Sequence, residues 1–445
     1  MKRIGLMVLM MLLVLTVSVY AGGEQESSEG PVFEVSSNVT EEGQVELLGK
    51  LFQRFVDEYN AENGTNYSLK FVSGQGMDII NTRMSSNNKP DIFSIDSPAD
   101  SNEFAGSGLL LDLTEYAEQY SWDETIFDWA YSLAKVDGDV MALPFGYEGM
   151  VIWYNKEIMK ELGLDAQSID TLPEFEAAMK KASEADYIPV MLGSQDWPWA
   201  QEWYLSILYS YTGRDRVKKT IEGVEGYAWT DEAFAETVAL YESWHDKGYL
   251  ADGRSYVLTS DDAINLFTND RALFKLEGTW APYWMMPLEE ADQNKIGVML
   301  HPAINDIEEP HMPLAVGNMW CASSDTEHPE LAAYLLDRLL DQDIQSEFLD
   351  VGYDLAPMQI NESEFEGLIP VVEDMWNVVN GALADGSFGY TTWAFYPPET
   401  RVYLYEGIVN VLEDKITIDE YLSEMQRLNQ KELEQGFNPV IPAAN

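Results

Sequence analysis

Residues 137–160 read Asp137-Gly-Asp-Val-Met-Ala-Leu-Pro144-Phe-Gly146-Tyr-Glu148-Gly-Met150-Val-Ile-Trp-Tyr154-Asn-Lys-Glu-Ile-Met-Lys160. Asp137-Gly138 is a tight-turn pair between two short extended runs, because glycine accepts a positive φ without steric penalty, so a hairpin is expected. Pro144 has no amide proton to donate and is expected to end the second strand. Gly146-Tyr147-Glu148-Gly149 then sets an aromatic and a carboxylate between two glycines. Residues 150–154 follow, a β-branched and aromatic run suited to a strand buried on both faces. Asn155 is placed to cap the next helix. A strand leaving one lobe, a flexible polar segment and a strand entering another lobe together make a hinge that carries ligand groups.

Upstream, residues 33–36 read as a first strand. Between 41 and 63, Val45, Leu48, Phe52, Phe55, Val56 and Tyr59 recur at helical spacing, and Asn63-Gly64 closes that helix. Strands at 67–72 and 91–95 flank a helix at 77–84, which is a doubly wound α/β beginning. Ligands of such sheets sit at the carboxyl ends of the strands, here Ser36-Ser37-Asn38, Ser73-Gly74-Gln75 and Asp96-Ser97. A helix is expected at 122–133 before the hairpin. Downstream, helices are expected at 155–162, 172–183, 201–211, 231–247 and 261–268. Pro173 falls in a first turn, where its missing N–H does no harm. Strands are expected at 188–192, ending in Gly193-Ser194-Gln195-Asp196-Trp197-Pro198-Trp199, and at 271–276, ending in Glu277-Gly278-Thr279-Trp280. A strand at 296–300, an extended run at 314–321 and helices at 329–340 and 343–349 follow. The last hundred residues look helical, apart from a glycine and aromatic loop at 386–398 that holds Tyr390, Trp393, Phe395 and Tyr396.

A chain of 445 residues with 46% hydrophobic content can build two ordinary domains. Its 12% aromatic content excludes a disordered polyelectrolyte. The 77 acidic against 26 basic residues give a net charge of −51. Such an excess excludes nucleic-acid binding and docking on anionic membranes, because phosphate contacts need Lys and Arg. It fits a solvated acidic surface or, more sharply, a cationic solute. Cys321 stands alone, so no internal disulfide can form. Lys2-Arg3, an apolar run at 4–19 and Val19-Tyr20-Ala21 form a secretory signal peptide over residues 1–21, followed by a polar leader at 22–30. Gly22-Gly23 stand where a lipid-anchored protein would need Cys, so release into the periplasm is expected.

Asp-Gly-x-x-x-Ala-Leu-Pro at 137–144, Val-Ile-Trp-Tyr-Asn-Lys at 151–156, Gly163-Leu164 and Leu172-Pro173-Glu174-Phe175 resemble the family 1 extracellular solute-binding proteins of ABC importers, which include maltodextrin-binding proteins. Phe267…Arg271-Ala-Leu-Phe…Glu277-Gly-Thr-Trp280 resembles a second signature of that family. Val316-Gly317-Asn318-Met-Trp320 with Pro329-Glu-Leu-Ala-Ala resembles a third, although the family usually has paired glycines where Gly317-Asn318 stand. The resemblance runs from about residue 33 to 436, with segments in the family's order. It implies an α/β, two-lobed periplasmic-binding-protein fold whose discontinuous lobes are joined by hinge crossings. The first lobe is expected at 31–146 and 312–357, the second at 147–311 and 358–445.

A sugar offers hydroxyls that carboxylates and amides can grip, and C–H faces on which flat rings can lie. Glu148, Asp196, Trp197, Trp280, Gly317, Asn318 and Trp393 are the leading candidates, most of them at positions where the resemblance implies ligand contact. Ser37, Gln75, Asp96, Tyr147, Trp199 and Glu277 form a second rank; Trp199 fits stacking and core equally well, and Glu277 fits a hydroxyl contact or the hinge. Trp284, Trp320 and Cys321 are expected to face inward. Two stacked rings and two charge-assisted hydrogen bonds supply roughly 4–9 kcal/mol gross. Micromolar binding needs about 8 kcal/mol, so lobe closure must contribute. No nucleophile elbow, phosphate loop or zinc motif is present, and no cofactor or metal is expected. The reading is a monomeric periplasmic sugar carrier that hands an unaltered solute to a permease. Two alternatives remain: a secreted glycoside hydrolase using Glu148 and Asp196 as a carboxylate pair, and a carrier for a cation such as a polyamine.

Overall fold

The computed structural model describes residues 30–196, 201, 205, 208, 211–303, 312–361, 368–385, 388–390, 395–439 and 441. Its strands are β1 (Val32–Ser36), β2 (Ser68–Val72), β3 (Ile92–Ile95), β4 (Lys135–Val136), β5 (Asp139–Val140), β6 (Leu143–Asn155), β7 (Ile188–Met191), β8 (Ala272–Gly278), β9 (Ile296–Met299), β10 (Met312–Ala322) and β11 (Phe388–Tyr390). The main sheet runs β2-β1-β3-β10-β6-β8-β7, with β11 added to β10 and β9 to β6.

Two long strands decide this architecture. β6 pairs antiparallel with β10 over residues 143–149, then turns to β8 from Met150 and to β9 from Ile152. β10 likewise pairs with β11 at its start and with β3 at its end. Each of these strands therefore belongs to both halves of the molecule, and the partner change in β6 falls between Gly149 and Met150. The segment 146–149 is thus strand, not the flexible link expected. Pro144 lies inside β6 and does not end the preceding strand. Its missing N–H is tolerated because the ladder is irregular opposite it, between Asn318 and Met319.

On the first half, β1 pairs in parallel with β2 and β3. Helix Glu42–Asn63 packs there through Leu48, Leu51, Phe52, Phe55 and Val56, and ends where Gly64 takes φ +65°. Phe52 meets Trp320 of β10 edge-on at 5.1 Å. On the second half β7 and β8 are parallel. Asn155 caps helix Lys156–Glu161 by accepting from the amides of Glu157 and Ile158, both at 3.0 Å. Thr171 and Glu174 form a capping box at the start of helix Leu172–Glu184.

Some elements differ from expectation. The helix at 122–133 breaks into short pieces, because Ile126 is extended and bridges Met358. β8 continues through Glu277 and Gly278, which were expected in a loop, because Gly278 still pairs with Met150. A helix at Arg214–Ile221, which buries Val217, Thr220 and Ile221, had no counterpart in the sequence reading. Much of the helix expected at 201–211 lies outside the described residues.

Candidate functional site

A cleft of about 640 Å³ opens where the two halves meet. Asn38, Glu41, Asp96 and Asp100 reach it from the first half, and Trp280, Tyr283 and Arg401 from the second. Glu148, Gly317 and Asn318 face it from the two crossing strands, and the connector Gly352-Tyr353-Asp354 completes it.

Its floor is built by a bulge. Val316 pairs with Tyr147 and Asn318 with Gly146, so Gly317 has no partner across the ladder. The Glu148 carboxylate fills the space over Gly317; a Cβ there would stand 2.0 Å from it. Gly317 is therefore small because an acid side chain occupies its place. Gly146 serves in the same way, since a Cβ on it would meet Cβ of Asp354 at 3.0 Å and Cβ of Asn318 at 3.2 Å. Asn318 Nδ2 donates to the Tyr353 hydroxyl at 3.2 Å, while its Oδ1 has no partner among the described residues. Burial, then the negative charge of Glu41, push the Asp354 carboxyl up to about 7.

The aromatic wall depends on β8. Residues two apart on a strand share a face, so Lys275 and Glu277 lie together, each only 3% exposed, with Nζ and Oε2 2.5 Å apart. Glu277 Oε1 accepts from Trp280 Nε1 at 2.8 Å. The Trp280 ring folds back over Gly278, where a Cβ would fall 2.2 Å from it. Thr279 clips this turn to the crossing strand, donating its amide to Gly149 O and accepting from Gly149 N at Oγ1. Tyr283 stands beside it, 38% exposed.

At the ends of β1 and β3, Asn38 Nδ2 donates to Asp96 Oδ1 at 2.5 Å, and Ser94 Oγ donates to Asn38 Oδ1 at 2.7 Å. Ser97 caps helix Pro98–Gly106 and its hydroxyl donates to Asp100 Oδ2 at 2.6 Å. Burial nevertheless pushes the Asp100 carboxyl up to about 6.

Of the residues expected to bind, Glu148, Trp280, Gly317, Asn318 and Asp96 come together in the cleft. Trp197, Trp199 and Trp393 lie outside the described residues. Asp196 is exposed but does not line the cleft; its Oδ1 accepts from the Ser260 amide at 2.8 Å, at the start of helix Ser260–Thr268. Tyr147 is turned into the core, 2% exposed with its ring on Trp376, because the strand face opposite Glu148 is interior. Ser37 is fully buried and its neighbour Asn38 takes the cleft position instead. Gln75 holds Ser73 O and stays off the cleft wall. Glu277 is spent on Lys275 and Trp280, so it positions the ring instead of meeting solute. The sequence reading missed Tyr283, Tyr353, Asp354 and Arg401. Only Gly352-Tyr353-Asp354, a glycine followed by polar residues near an expected lobe boundary, carried any signal. Among the described residues, no three His, Cys, Asp or Glu side chains cluster as a metal site, and no helix is long and apolar enough to cross a membrane.

Residues 43–345 match the bacterial extracellular solute-binding protein family. A probable sugar-binding periplasmic protein of Mesorhizobium japonicum is 25% identical over 183 residues, 40% of this chain and 42% of that protein. The maltodextrin-binding protein of Bacillus subtilis is 26% identical over 208 residues, 45% of this chain and 46% of that protein. The chain thus spans under half the length of these two curated relatives. Among solved structures, a chitin oligosaccharide binding protein superposes with a TM-score of 0.75 at 20% identity, covering 90% of this chain and 99% of the other. A maltose-bound protein of T. maritima gives 0.71 at 16% identity, covering 90% and 99%. These structures share the fold, a two-lobed α/β architecture around a mixed sheet. With crossing strands, an inter-lobe cleft and a family match over most of its length, the chain belongs to the bacterial extracellular solute-binding proteins.

Proposed function

We propose that the protein is the substrate-binding component of an ABC importer, taking a sugar or oligosaccharide into the inter-lobe cleft and passing it unaltered to the permease. The observation that carries this reading is that Trp280, Glu148 and Asn318 line one cleft. A ring for C–H faces thus shares a cleft with groups that grip hydroxyls. The names of the relatives support it, since they include sugar-binding and maltodextrin-binding proteins. The lobes are residues 31–146 with 312–357, and 147–311 with 358–445. Solute drives closure only through its preference for the closed state. Glu148, Asp96, Trp280, Gly317 and Asn318 hold the solute, joined by Trp197 and Trp393. The chain is exported by the signal peptide at 1–21, is released without a lipid anchor, acts as a monomer in the periplasm and carries out no chemistry.

A thermal-shift screen of mono- and oligosaccharides tests this, followed by Trp280→Ala on each hit. The expected result is a stabilising sugar whose affinity falls about tenfold or more in the variant. Unchanged affinity removes Trp280 from the site, and a screen with no stabilising sugar overturns the reading.

A further inference from the structure

Gly146 lies beneath two side chains from distant parts of the chain. Asn318 of β10 pairs with it across the bulged ladder, and the connector that follows Tyr353 runs beside β6, with Leu355 O accepting from Tyr147 N at 3.1 Å. An ideal Cβ on Gly146 would stand 3.0 Å from Asp354 Cβ and 3.2 Å from Asn318 Cβ, so the bare glycine lets the two side chains share the space above it. Both residues line the cleft. Asn318 is 7% exposed. Its Oδ1 and Asp354 Oδ1 are shut from solvent, and neither has a hydrogen-bond partner among the described residues.

Buried acceptors without a donor are costly. Solvent does not reach this pair, and Asn318 Nδ2 is turned to the Tyr353 hydroxyl. Among the described residues no three His, Cys, Asp or Glu side chains cluster to hold a metal ion. The donor that remains is a proton on Asp354 itself, since a neutral carboxyl has one O–H to give. Burial and then the charge of Glu41 favour that form, pushing the group up to about 7. Tyr353 and, on β6, Tyr147 keep their protons throughout this range, because burial raises both far above the ordinary tyrosine range. Glu148 of β6 acts on Tyr353 as a further negative charge.

We infer that Asp354 is a positioning residue for Asn318: as a neutral acid it donates its proton to Asn318 Oδ1 above Gly146, and on losing that proton to solvent it turns the amide end for end. In the neutral state Nδ2 faces the Tyr353 hydroxyl, as observed at 3.2 Å, and keeps its second hydrogen for a solute acceptor. Once Asp354 ionises, two acceptors would face each other. Rotation of the amide relieves this by bringing Nδ2 to the carboxylate and Oδ1 to the Tyr353 O–H. The consequence for solute rests on the sugar-carrier reading: Asp354 sets whether Asn318 meets a sugar hydroxyl as donor or as acceptor.

Nitrogen-15 asparagine labelling of the full mature chain tests the inference without any solute. The Asn318 side-chain resonance, assigned by its loss in Asn318→Ala, should move with a midpoint near pH 7. It should stay fixed in Asp354→Asn, whose own amide donates to Asn318 at every pH. A resonance that moves in neither protein, or alike in both, overturns the inference. Should Asp354→Asn fail to fold, a carboxyl-carbon titration of Asn318→Ala takes its place. Loss of the acceptor should lower the Asp354 midpoint by about half a pH unit or more, and an unchanged midpoint overturns the inference. Calorimetry with maltose, maltotriose and chitobiose reads the consequence. A sugar that binds should change its affinity about threefold or more between about pH 6 and about pH 8.5 in the wild type, and less than about twofold in Asp354→Asn. Equal changes in the two proteins overturn the inference, whereas silence from all three sugars counts against the sugar carrier and leaves the resonance to decide the role of Asp354.

Discussion

The Glu148 carboxylate occupies the space that a side chain at residue 317 would fill, with its carbon 2.0 Å from an ideal Cβ on Gly317. Sequence, bulge and site meet in this contact, because the unpaired residue of β10 lets an acid from β6 lie over its backbone. Gly317→Ala should therefore push the carboxylate away while the rest of the sheet holds. Affinity for solute should fall about tenfold or more, and the melting midpoint should drop by only about 2–4 °C. Calorimetry and a thermal melt on the same sample check both, and wild-type affinity would remove Glu148 from the solute contacts.

Trp280 depends on an ion pair it does not belong to. Glu277 takes Lys275 Nζ on one oxygen and Trp280 Nε1 on the other, and the pair is 3% exposed. Glu277→Ala leaves an uncompensated buried ammonium and should cost about 3–5 kcal/mol of stability. Lys275→Met with Glu277→Leu removes both charges and should recover most of it. Neither variant restores the hydrogen bond to the indole, so both should lose solute affinity. Equal instability of the single and double variants in denaturant melts would contradict the ion-pair account.

Asp354 ionises near pH 7 in the folded chain, against an ordinary 3.8, owing to burial and then to Glu41. The folded state therefore binds a proton that the unfolded state has released, so stability from this group is greatest below pH 4 and is lost as pH rises toward 7. Asp354→Asn should match the wild type at pH 4 and exceed it by about 1–3 kcal/mol at pH 8. Parallel pH-stability curves for the two proteins would contradict this. Asp100, pushed up to about 6, should show the same sign over a narrower range.

Local chemistry in the sequence was enough for much of the frame. The spacing of Leu48, Phe52, Phe55 and Val56, the cap at Asn155 and the closing Gly64 each act within a turn or two, and each element formed where that chemistry directs. The same locality failed for β6. Whether Gly146-Tyr147-Glu148-Gly149 is a loop or a strand depends on β10, more than 160 residues away in sequence, whose bulge accepts it. Site residues divide along the same line. Glu148, Trp280 and Asn318 stand in motifs, whereas Asp354 and Arg401 reach the cleft only through tertiary packing. Glu277 shows the reverse error: its motif is clear, but its carboxylate is consumed by Lys275 and the indole.

Native mass spectrometry of the mature protein with an oligosaccharide mixture tests the central claim most directly. The account predicts a single adduct at the mass of one intact sugar, absent in Trp280→Ala and weakened in Glu148→Gln. Cleaved products in the mixture, or an adduct that persists unchanged in both variants, would contradict it.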